Sequence, residues 1–184
     1  CPSGVDYMHL VDIARAEIEE QTTRSFKDRM LRNVLAWVIP YPRRFRLALK
    51  AVPMVRPFIP LLERIGLKEV AAMLKLAPSS IVTREGRFSG AGTAVTHSER
   101  RARVILMTGC VQQVLRADIN DSTIRLLARR GVDVTVVNGS GCCGGVVQHM
   151  GDEREAMRLA KRNIDVWSKE IGRGEIDAII INAS

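Results

Sequence analysis

The chain has 184 residues, of which 46% are hydrophobic and 4% aromatic. A chain of this length and composition can bury the core of one domain, or of one domain with an extension, and is not a disordered tail. It has no run of about 18 uncharged apolar residues and no secretory leader, so neither a transmembrane helix nor export is expected. Because the chain begins with Cys1, we expect it to be a piece of a longer protein.

The formal net charge of +8 is concentrated in one region. There, Asp28 and Glu63 are the only acids among ten basic residues: Lys27, Arg29, Arg32, Arg43, Arg44, Arg46, Lys50, Arg56, Arg64 and Lys68. No helix-turn-helix, zinc-finger or aromatic stacking pattern accompanies this charge, so no nucleic-acid partner is expected. We expect instead that the region docks on an acidic partner or an anionic membrane surface, where each basic residue contributes on the order of 1 kcal/mol.

Two helices are predicted at the amino-terminal end. Asp6 can cap the first, which ends near Thr22 and has apolar positions at three- and four-residue steps: Met8, Val11, Ala14 and Ile18. Ser25 and Asp28 resemble a capping box for the second helix, which stops at Pro40. Further prolines predict short helical pieces at most in the next stretch: Pro42, Pro53, Pro57 and Pro60.

Residues 77–101 have little periodicity and several glycines, and we predict a linker there. Beyond them, short apolar runs alternate with helical patterns. Strands are predicted at 103–107, 133–137 and 178–182. Such alternation predicts an α/β fold with a parallel βαβαβ sheet, whose ligands lie at the carboxyl ends of the strands.

Two helices are predicted between these strands. The first ends near Gly131, and the second is opened by Asp152 with Glu155. The second carries an apolar face made of Met157, Ala160, Ile164, Trp167 and Ile171.

The cysteines follow the predicted strands. Cys110 comes just after the first strand, and Cys142 and Cys143 come just after the second, so these side chains can converge at one sheet edge. The pair lies in the loop GSGCCGG, residues 139–145. Buried cysteines need no glycine neighbours, whereas glycines admit a bulky group near the backbone or allow positive φ.

The paired cysteines have several possible explanations. A phosphate loop is not favoured, because no lysine follows and no GxGxxG pattern is present. A vicinal disulfide is disfavoured, since adjacent Cα atoms lie about 3.8 Å apart and ordinary bridges need roughly 4.4 Å. A structural zinc site fits less well, because its paired cysteines are usually two to four residues apart. Two thiolates that diverge from one loop suit a multi-iron cluster better, and a zinc-stabilised interaction module stays as an alternative.

The segments CPSGVDYMHLVDIAR, VRPFIP, GCVQ, GCCGG and RNIDVW together carry a resemblance over nearly the whole chain. They resemble the glycolate oxidase iron-sulfur subunits, within the CCG-domain superfamily that also includes the heterodisulfide reductases. The resemblance implies that residues 1–76 are the helical end of a ferredoxin-like domain with two 4Fe-4S clusters, plus the basic docking segment. Residues 77–101 are then the linker, and 102–184 an incomplete first CCG domain.

The same resemblance implies the site residues. Cys1 and Pro2 look like the end of a ferredoxin cysteine run, so that Cys1 is a 4Fe-4S ligand. Cys110, Cys142 and Cys143 match three ligand positions of the CCG motif, and the family's further cysteines follow position 184. His149 is more simply a surface or capping residue than a group that tunes a cluster.

The implied function is electron transfer. A flavin on partner glycolate oxidase subunits would oxidise glycolate, or another 2-hydroxy acid, and this subunit would pass electrons through 4Fe-4S clusters to a quinone or other membrane acceptor. No catalytic residue is then expected in this chain, which would be cytoplasmic or peripheral on the inner face of the membrane. The alternatives are a related subunit of a lactate-utilisation, anaerobic glycerol-3-phosphate dehydrogenase or heterodisulfide reductase complex, the last acting on substrate sulfur.

Overall fold

The computed structural model describes residues 4–78, 91–95 and 99–182, in which a helical amino-terminal part precedes an α/β part. The helical part contains α1 (Tyr7–Gln21), α2 (Phe26–Val38), α3 (Pro42–Val55), α4 (Ile59–Arg64) and α5 (Lys68–Leu76). The α/β part contains β1 (Gly92–Ala94), β2 (Ala102–Met107), α6 (Gln112–Leu115), α7 (Ala117–Arg129), β3 (Val132–Val136), α8 (Gly145–His149), α9 (Glu153–Ile171) and β4 (Ala178–Ile181). No described helix has both the length and the hydropathy needed to cross a membrane.

The predicted helix starts are confirmed by side-chain caps. The Asp6 carboxylate accepts the His9 amide at 3.3 Å, and the Ser25 hydroxyl accepts the Asp28 amide at 3.2 Å. At α9, the Asp152 carboxylate accepts the Glu155 amide at 3.0 Å. Each cap satisfies one of the amides that have no partner within the first helical turn.

The prediction of short helical pieces at most after Pro40 is wrong for α3, which has 14 residues. Pro42 occupies its first turn, where the missing amide hydrogen is not needed. Pro53 lies in the last turn, near the carboxyl end of the helix. Beyond α3, a 3-10 turn (Arg56–Phe58) leads into α4, and both have a proline near their start.

The α/β fold is confirmed. The four described strands form one sheet in the order β1-β3-β2-β4, and β2 pairs in parallel with both β3 and β4. The bounds of β2, β3 and β4 agree with the predicted strands to within one residue. Because β3 and β4 lie on opposite sides of β2, right-handed crossovers place their connecting helices on opposite faces of the sheet.

Strand β1 was not predicted. It lies within residues 77–101, most of which are outside the described residues, and pairs antiparallel with β3 at the sheet edge. Its three residues, Gly-Thr-Ala, have no apolar alternation, so that pairing rather than local sequence creates the strand. The Thr93 and Thr135 hydroxyls lie 3.2 Å apart across this pair.

The sheet core is aliphatic. Val104 and Leu106 of β2, Val134 and Val136 of β3 and Ile124 of α7 form one buried cluster. Such a cluster fixes the register of the central strands, because a slip by one residue would turn these side chains to the other face. The register in turn fixes where the loops after β2 and β3 begin.

The predicted apolar face of α9 is wrong in its position. Met157, Ile164 and Ile171 are 49%, 57% and 45% exposed, while the buried side chains are Ala156, Leu159 and Asn163. The predicted and the observed buried residues both have the three- and four-residue spacing of a helix, but the observed stripe lies on a different side of α9 from the predicted one. A small and a polar residue are buried because this stripe packs against the cysteine loops rather than against a purely apolar surface.

The helical part packs against the loops that follow the sheet. Arg32 of α2 donates to the Met150 carbonyl, and Ala36 packs against the cluster that contains Cys110 and Cys142. His149 Nδ1 lies 3.0 Å from Asp12 Oδ1 of α1. The helices therefore cover one side of the cysteine loops.

Candidate metal centre

Two cysteine loops meet at the carboxyl edge of the sheet. Cys110 follows β2, and Cys142 follows the adjacent parallel strand β3, so both loops leave the same edge. The Cys110 and Cys142 Sγ atoms lie 3.3 Å apart, and the residues are only 8% and 2% exposed. The predicted convergence is confirmed for these two thiols. Both are free, since a disulfide requires about 2.05 Å between its sulfurs.

Cys143 lies on the same loop but is exposed. Its Sγ accepts the Gly145 amide at 3.4 Å, and Cys142 Sγ accepts the Gly144 amide at 3.4 Å. Two successive amides thus donate to two successive sulfurs. Such hydrogen bonds favour the thiolate form and are one means by which proteins tune thiolate-ligated clusters.

The glycines of the loop have different roles. Gly144 has a φ of +94°, and a Cβ there would lie 2.8 Å from the Ala156 carbonyl oxygen of α9. Gly144 therefore provides a left-handed turn and a close approach of two backbones, which no other residue tolerates well. A Cβ at Gly141 would meet nothing within 4 Å, whereas one at Gly145 would lie 3.4 Å from Cys143 Sγ.

A buried asparagine of α9 holds the loop of Cys142. Asn163 Oδ1 accepts the Gly141 amide at 2.8 Å, and its Nδ2 donates to the Cys142 carbonyl at 3.0 Å. One helical turn later, Trp167 Nε1 donates to the Ser140 hydroxyl at 2.9 Å. Asn163 was not predicted from the sequence, and Trp167 was predicted only as part of the apolar face. The signal for Asn163 is a polar residue at the helical spacing of the buried stripe.

A second buried asparagine holds the loop of Cys110. Asn120 of α7 donates through Nδ2 to the Thr108 carbonyl at 2.8 Å, and its Oδ1 accepts from Gln112 at 3.0 Å and from Asn182 at 3.1 Å. Because Asn182 follows β4, this network joins the carboxyl ends of β2 and β4. No simple sequence pattern predicts it.

The three thiols affect each other's ionisation. The pKa of Cys110 is lowered because the Cys142 side chain hydrogen-bonds to it, although burial opposes the shift. The same hydrogen bond raises the pKa of Cys142, and hydrogen bonding to Cys142 together with burial raises the pKa of Cys143. Because one thiol of the contacting pair hydrogen-bonds to the other, a positively charged group is needed to hold all three as thiolates.

Two further residues were candidates from the sequence, Cys1 and His149. Cys1 is outside the described residues. The His149 ring contacts Asp12 of α1, which places this histidine at the junction with the helical part. Within residues 4–78, 91–95 and 99–182, no three or more His, Cys, Asp and Glu side chains are grouped so as to hold a single metal ion.

The donor set nevertheless fits a group with several metal atoms. Cys110 and Cys142 form a contacting pair, and Cys143 provides a third sulfur at the surface of the same loop. Sulfur donors that diverge from one loop can bind different irons of a cluster, for which cysteine thiolates are the usual ligands. The two amide hydrogen bonds to sulfur are the kind that stabilise such thiolates.

Comparison with known proteins agrees with this chemistry. A family model described as a cysteine-rich domain, CCG, matches residues 104–184. The glycolate oxidase iron-sulfur subunit of Escherichia coli is 33% identical over the whole chain, and the probable glycolate oxidase iron-sulfur subunit of Bacillus subtilis is 27% identical. The chain spans 40% and 42% of the lengths of these relatives. No solved structure matches significantly.

Proposed function

We propose that the chain is part of the iron-sulfur subunit of a glycolate, or 2-hydroxy acid, oxidoreductase, and the match of residues 104–184 to the cysteine-rich CCG domain model supports this. The resemblance predicted from the sequence is confirmed by the similarity of this whole chain to a part of the glycolate oxidase iron-sulfur subunits. The observation that carries the proposal is the contact between Cys110 and Cys142, with Cys143 adjacent, at the carboxyl edge of the sheet.

The proposed ligands of one cluster are Cys110, Cys142 and Cys143, and Cys1 is proposed as a ligand of a separate 4Fe-4S cluster. A bound cluster would supply one-electron transfer. The protein's own contribution is to hold the sulfurs close together, to donate amide hydrogen bonds to two of them and to exclude water from the buried pair. These are the means by which a protein sets the potential of a thiolate-ligated cluster.

In this proposal, substrate oxidation belongs to a flavin on partner subunits of the oxidase. This chain receives electrons from them and passes them toward a quinone or another membrane acceptor. No group of the centre is assigned to proton abstraction from a substrate, because its side chains are thiols committed to metal binding and amides committed to the loops.

The exposed face of α3 supports docking at a membrane. This face is defined by Arg43, Leu47, Lys50 and Met54, which alternate cations with apolar side chains. Leu47 and Met54 are 67% and 77% exposed, whereas Leu49 and Val52 are buried on the other side of the helix. A helix with such a face can lie on an anionic lipid surface.

Part of the basic charge of this region has a structural role instead. The Arg44 guanidinium stacks on the Trp37 and Tyr41 rings, and Arg56 donates to the Leu74 and Ala77 carbonyls. These residues stabilise the helical part, and Arg32 joins it to the Met150 carbonyl, so that only the remaining cations are assigned to docking.

Spectroscopy on the full-length protein, purified without oxygen, tests the proposal. We expect iron and acid-labile sulfide, broad visible absorption that bleaches on reduction, and an electron paramagnetic resonance signal of the reduced cluster. A colourless protein with stoichiometric zinc would contradict an iron-sulfur centre and support the interaction-module alternative.

Activity measurements then separate electron transfer from a reductase. Glycolate oxidation with a dye acceptor should require both the flavin subunits and this subunit, while the subunit alone should reduce neither glycolate-derived products nor a disulfide substrate. Disulfide reduction by the isolated subunit would contradict the proposal and favour the heterodisulfide reductase type.

A further inference from the structure

We propose that Asn163 is a positioning residue that fixes the conformation of the cysteine loop in which Cys142 meets Cys110. The inference deepens the proposed function and rests on it only where it concerns the bound cluster. Asn163 is 2% exposed, and both polar atoms of its side chain bond to the backbone on either side of Cys142.

The Asn163 side-chain amide pairs with the loop backbone as a neighbouring strand would, with one accepted and one donated hydrogen bond. The amide of Gly141 and the carbonyl of Cys142 both turn toward α9, where Asn163 Oδ1 accepts from the first and Nδ2 donates to the second. Fixing these two groups restricts the backbone of residues 141 and 142, and therefore the direction of the Cys142 Cα–Cβ bond. That direction places Cys142 Sγ 3.3 Å from Cys110 Sγ.

The loop needs such a partner because its own sequence is permissive. Glycines at 139, 141, 144 and 145 leave the backbone with many accessible conformations. Within the buried stripe of α9, an apolar residue at 163 would leave the Gly141 amide and the Cys142 carbonyl without this partner. The Asn163 amide satisfies both groups and has no unpaired polar atom of its own.

Neighbouring contacts extend the same restraint along α9. Trp167 Nε1 donates to Ser140, and Gly144 packs against the backbone of Ala156. Residues on three different turns of α9 thus contact the loop, and Asn163 lies between the other two and bonds to the backbone beside Cys142. The hydrogen bonds of Asn163 flank Cys142, whereas Cys143 is exposed.

The other cysteine loop has an equivalent residue. Asn120 of α7 donates to the carbonyl of Thr108, two residues before Cys110. Each cysteine loop is therefore held by a buried asparagine on a helix beyond it, which makes Asn120→Asp a second test of the same principle.

The test uses the full-length protein with Asn163→Leu, Asn163→Asp and the control Asn138→Asp, which changes an exposed asparagine of the same loop. Far-ultraviolet circular dichroism first establishes that each variant is folded. In protein stripped of metal and kept reduced, the alkylation rate of Cys142 relative to Cys143 is then measured by mass spectrometry. Cys143 serves as the internal reference in every sample.

We expect this ratio to rise about tenfold in Asn163→Leu. A tenfold rise corresponds in free energy to the loss of about one net hydrogen bond between residue 163 and the loop. Asn163→Asp should give a smaller rise, because the carboxylate still accepts the Gly141 amide but does not donate to the Cys142 carbonyl. Asn138→Asp should match wild type. Equal ratios in all four proteins would overturn the inference.

A second readout concerns the metal-loaded protein. Asn163→Leu should change the line shape of the reduced electron paramagnetic resonance signal, because Cys142 is no longer held in one position, while Asn138→Asp should not. Identical line shapes in wild type and Asn163→Leu would count against positioning. If wild type binds no cluster, the proposed function fails, and the alkylation ratio still decides the role of Asn163.

Discussion

Cys110 Sγ lies 3.3 Å from Cys142 Sγ although 32 residues separate them in the chain, because each follows one of two neighbouring parallel strands. If both bind one cluster, Cys110→Ser and Cys142→Ser should each remove the iron of that whole cluster, and the double variant should lose no more than either single one. Iron analysis and visible absorption of the full-length protein provide the measurement. Asn138→Ala, on the exposed part of the same loop, is the control, and additive losses would contradict a shared cluster.

Gly144 is expected to be the glycine of the loop that tolerates substitution least. Gly144→Ala places a residue at a φ of +94° with its Cβ 2.8 Å from the Ala156 carbonyl, so the free energy of unfolding should fall by about 2 kcal/mol or more. Gly141→Ala meets no atom within 4 Å and should change the free energy of unfolding by less than about 1 kcal/mol. Urea unfolding of both variants measures this, and similar losses would refute the distinction.

Local sequence predicted those features that depend on local interactions. The caps by Asp6, Ser25 and Asp152 are side-chain bonds to amides three residues away, and they appear where the patterns placed them. The three parallel strands were predictable because fully buried strands are short apolar runs bounded by turns. The convergence of the two cysteine loops at one sheet edge follows from the rule for parallel sheets, whereas the strand order was not predicted.

The features that the sequence did not reveal depend on contacts between distant segments. Strand β1 exists through its pairing with β3, and the buried stripe of α9 is set by the loop it covers rather than by the most apolar residues. The roles of Asn163 and Asn120 follow from which backbone groups of the folded loops lie against α9 and α7. Helical periodicity predicts that α9 is amphipathic but not which side faces the sulfurs.

Arg32 is expected to stabilise the junction between α2 and the turn before α9. It donates to the Met150 carbonyl and to Glu19 at 3.1 Å, and its side chain is 24% exposed. Arg32→Lys should lower the free energy of unfolding by about 1–2 kcal/mol, because one ammonium group does not reproduce the two directed bonds of the guanidinium. Urea unfolding tests this against Arg29→Lys, at an exposed position of the same helix, and equal effects would contradict the assigned role.

The contact between Asp12 and His149 predicts a pH dependence. The hydrogen bond from His149 lowers the pKa of Asp12 below its usual value of 3.8. A carboxyl group with a lowered folded-state pKa stabilises the fold above pH 3.8, and the contribution is lost as pH falls through the folded-state pKa. Asp12→Asn should therefore be less stable than wild type at pH 5 to 6, and the difference in urea midpoint should shrink as pH falls below 3.8 in metal-free protein. A difference that stays constant over this range would contradict the pair as its cause.

The exposed α3 face predicts salt-dependent binding to anionic lipid. The full-length protein should sediment with vesicles of phosphatidylcholine and phosphatidylglycerol, less so at high salt, and should not sediment with phosphatidylcholine alone. Arg43→Gln with Lys50→Gln should weaken binding about thirtyfold, since each cation contributes on the order of 1 kcal/mol near such a surface. Leu47→Ser with Met54→Ser should also weaken binding, because both side chains are exposed and would insert at the interface.

The matched control for this surface removes the same number of positive charges from another part of the chain. Arg129→Gln with Arg130→Gln removes two cations at exposed positions at the end of α7, in the α/β part of the chain. If lipid binding depends only on net charge, this control should weaken sedimentation as much as the α3 pair does, and the docking surface would be refuted. If α3 is the contact, the control should bind within about threefold of wild type, since long-range attraction is screened over roughly 10 Å at 0.1 M salt.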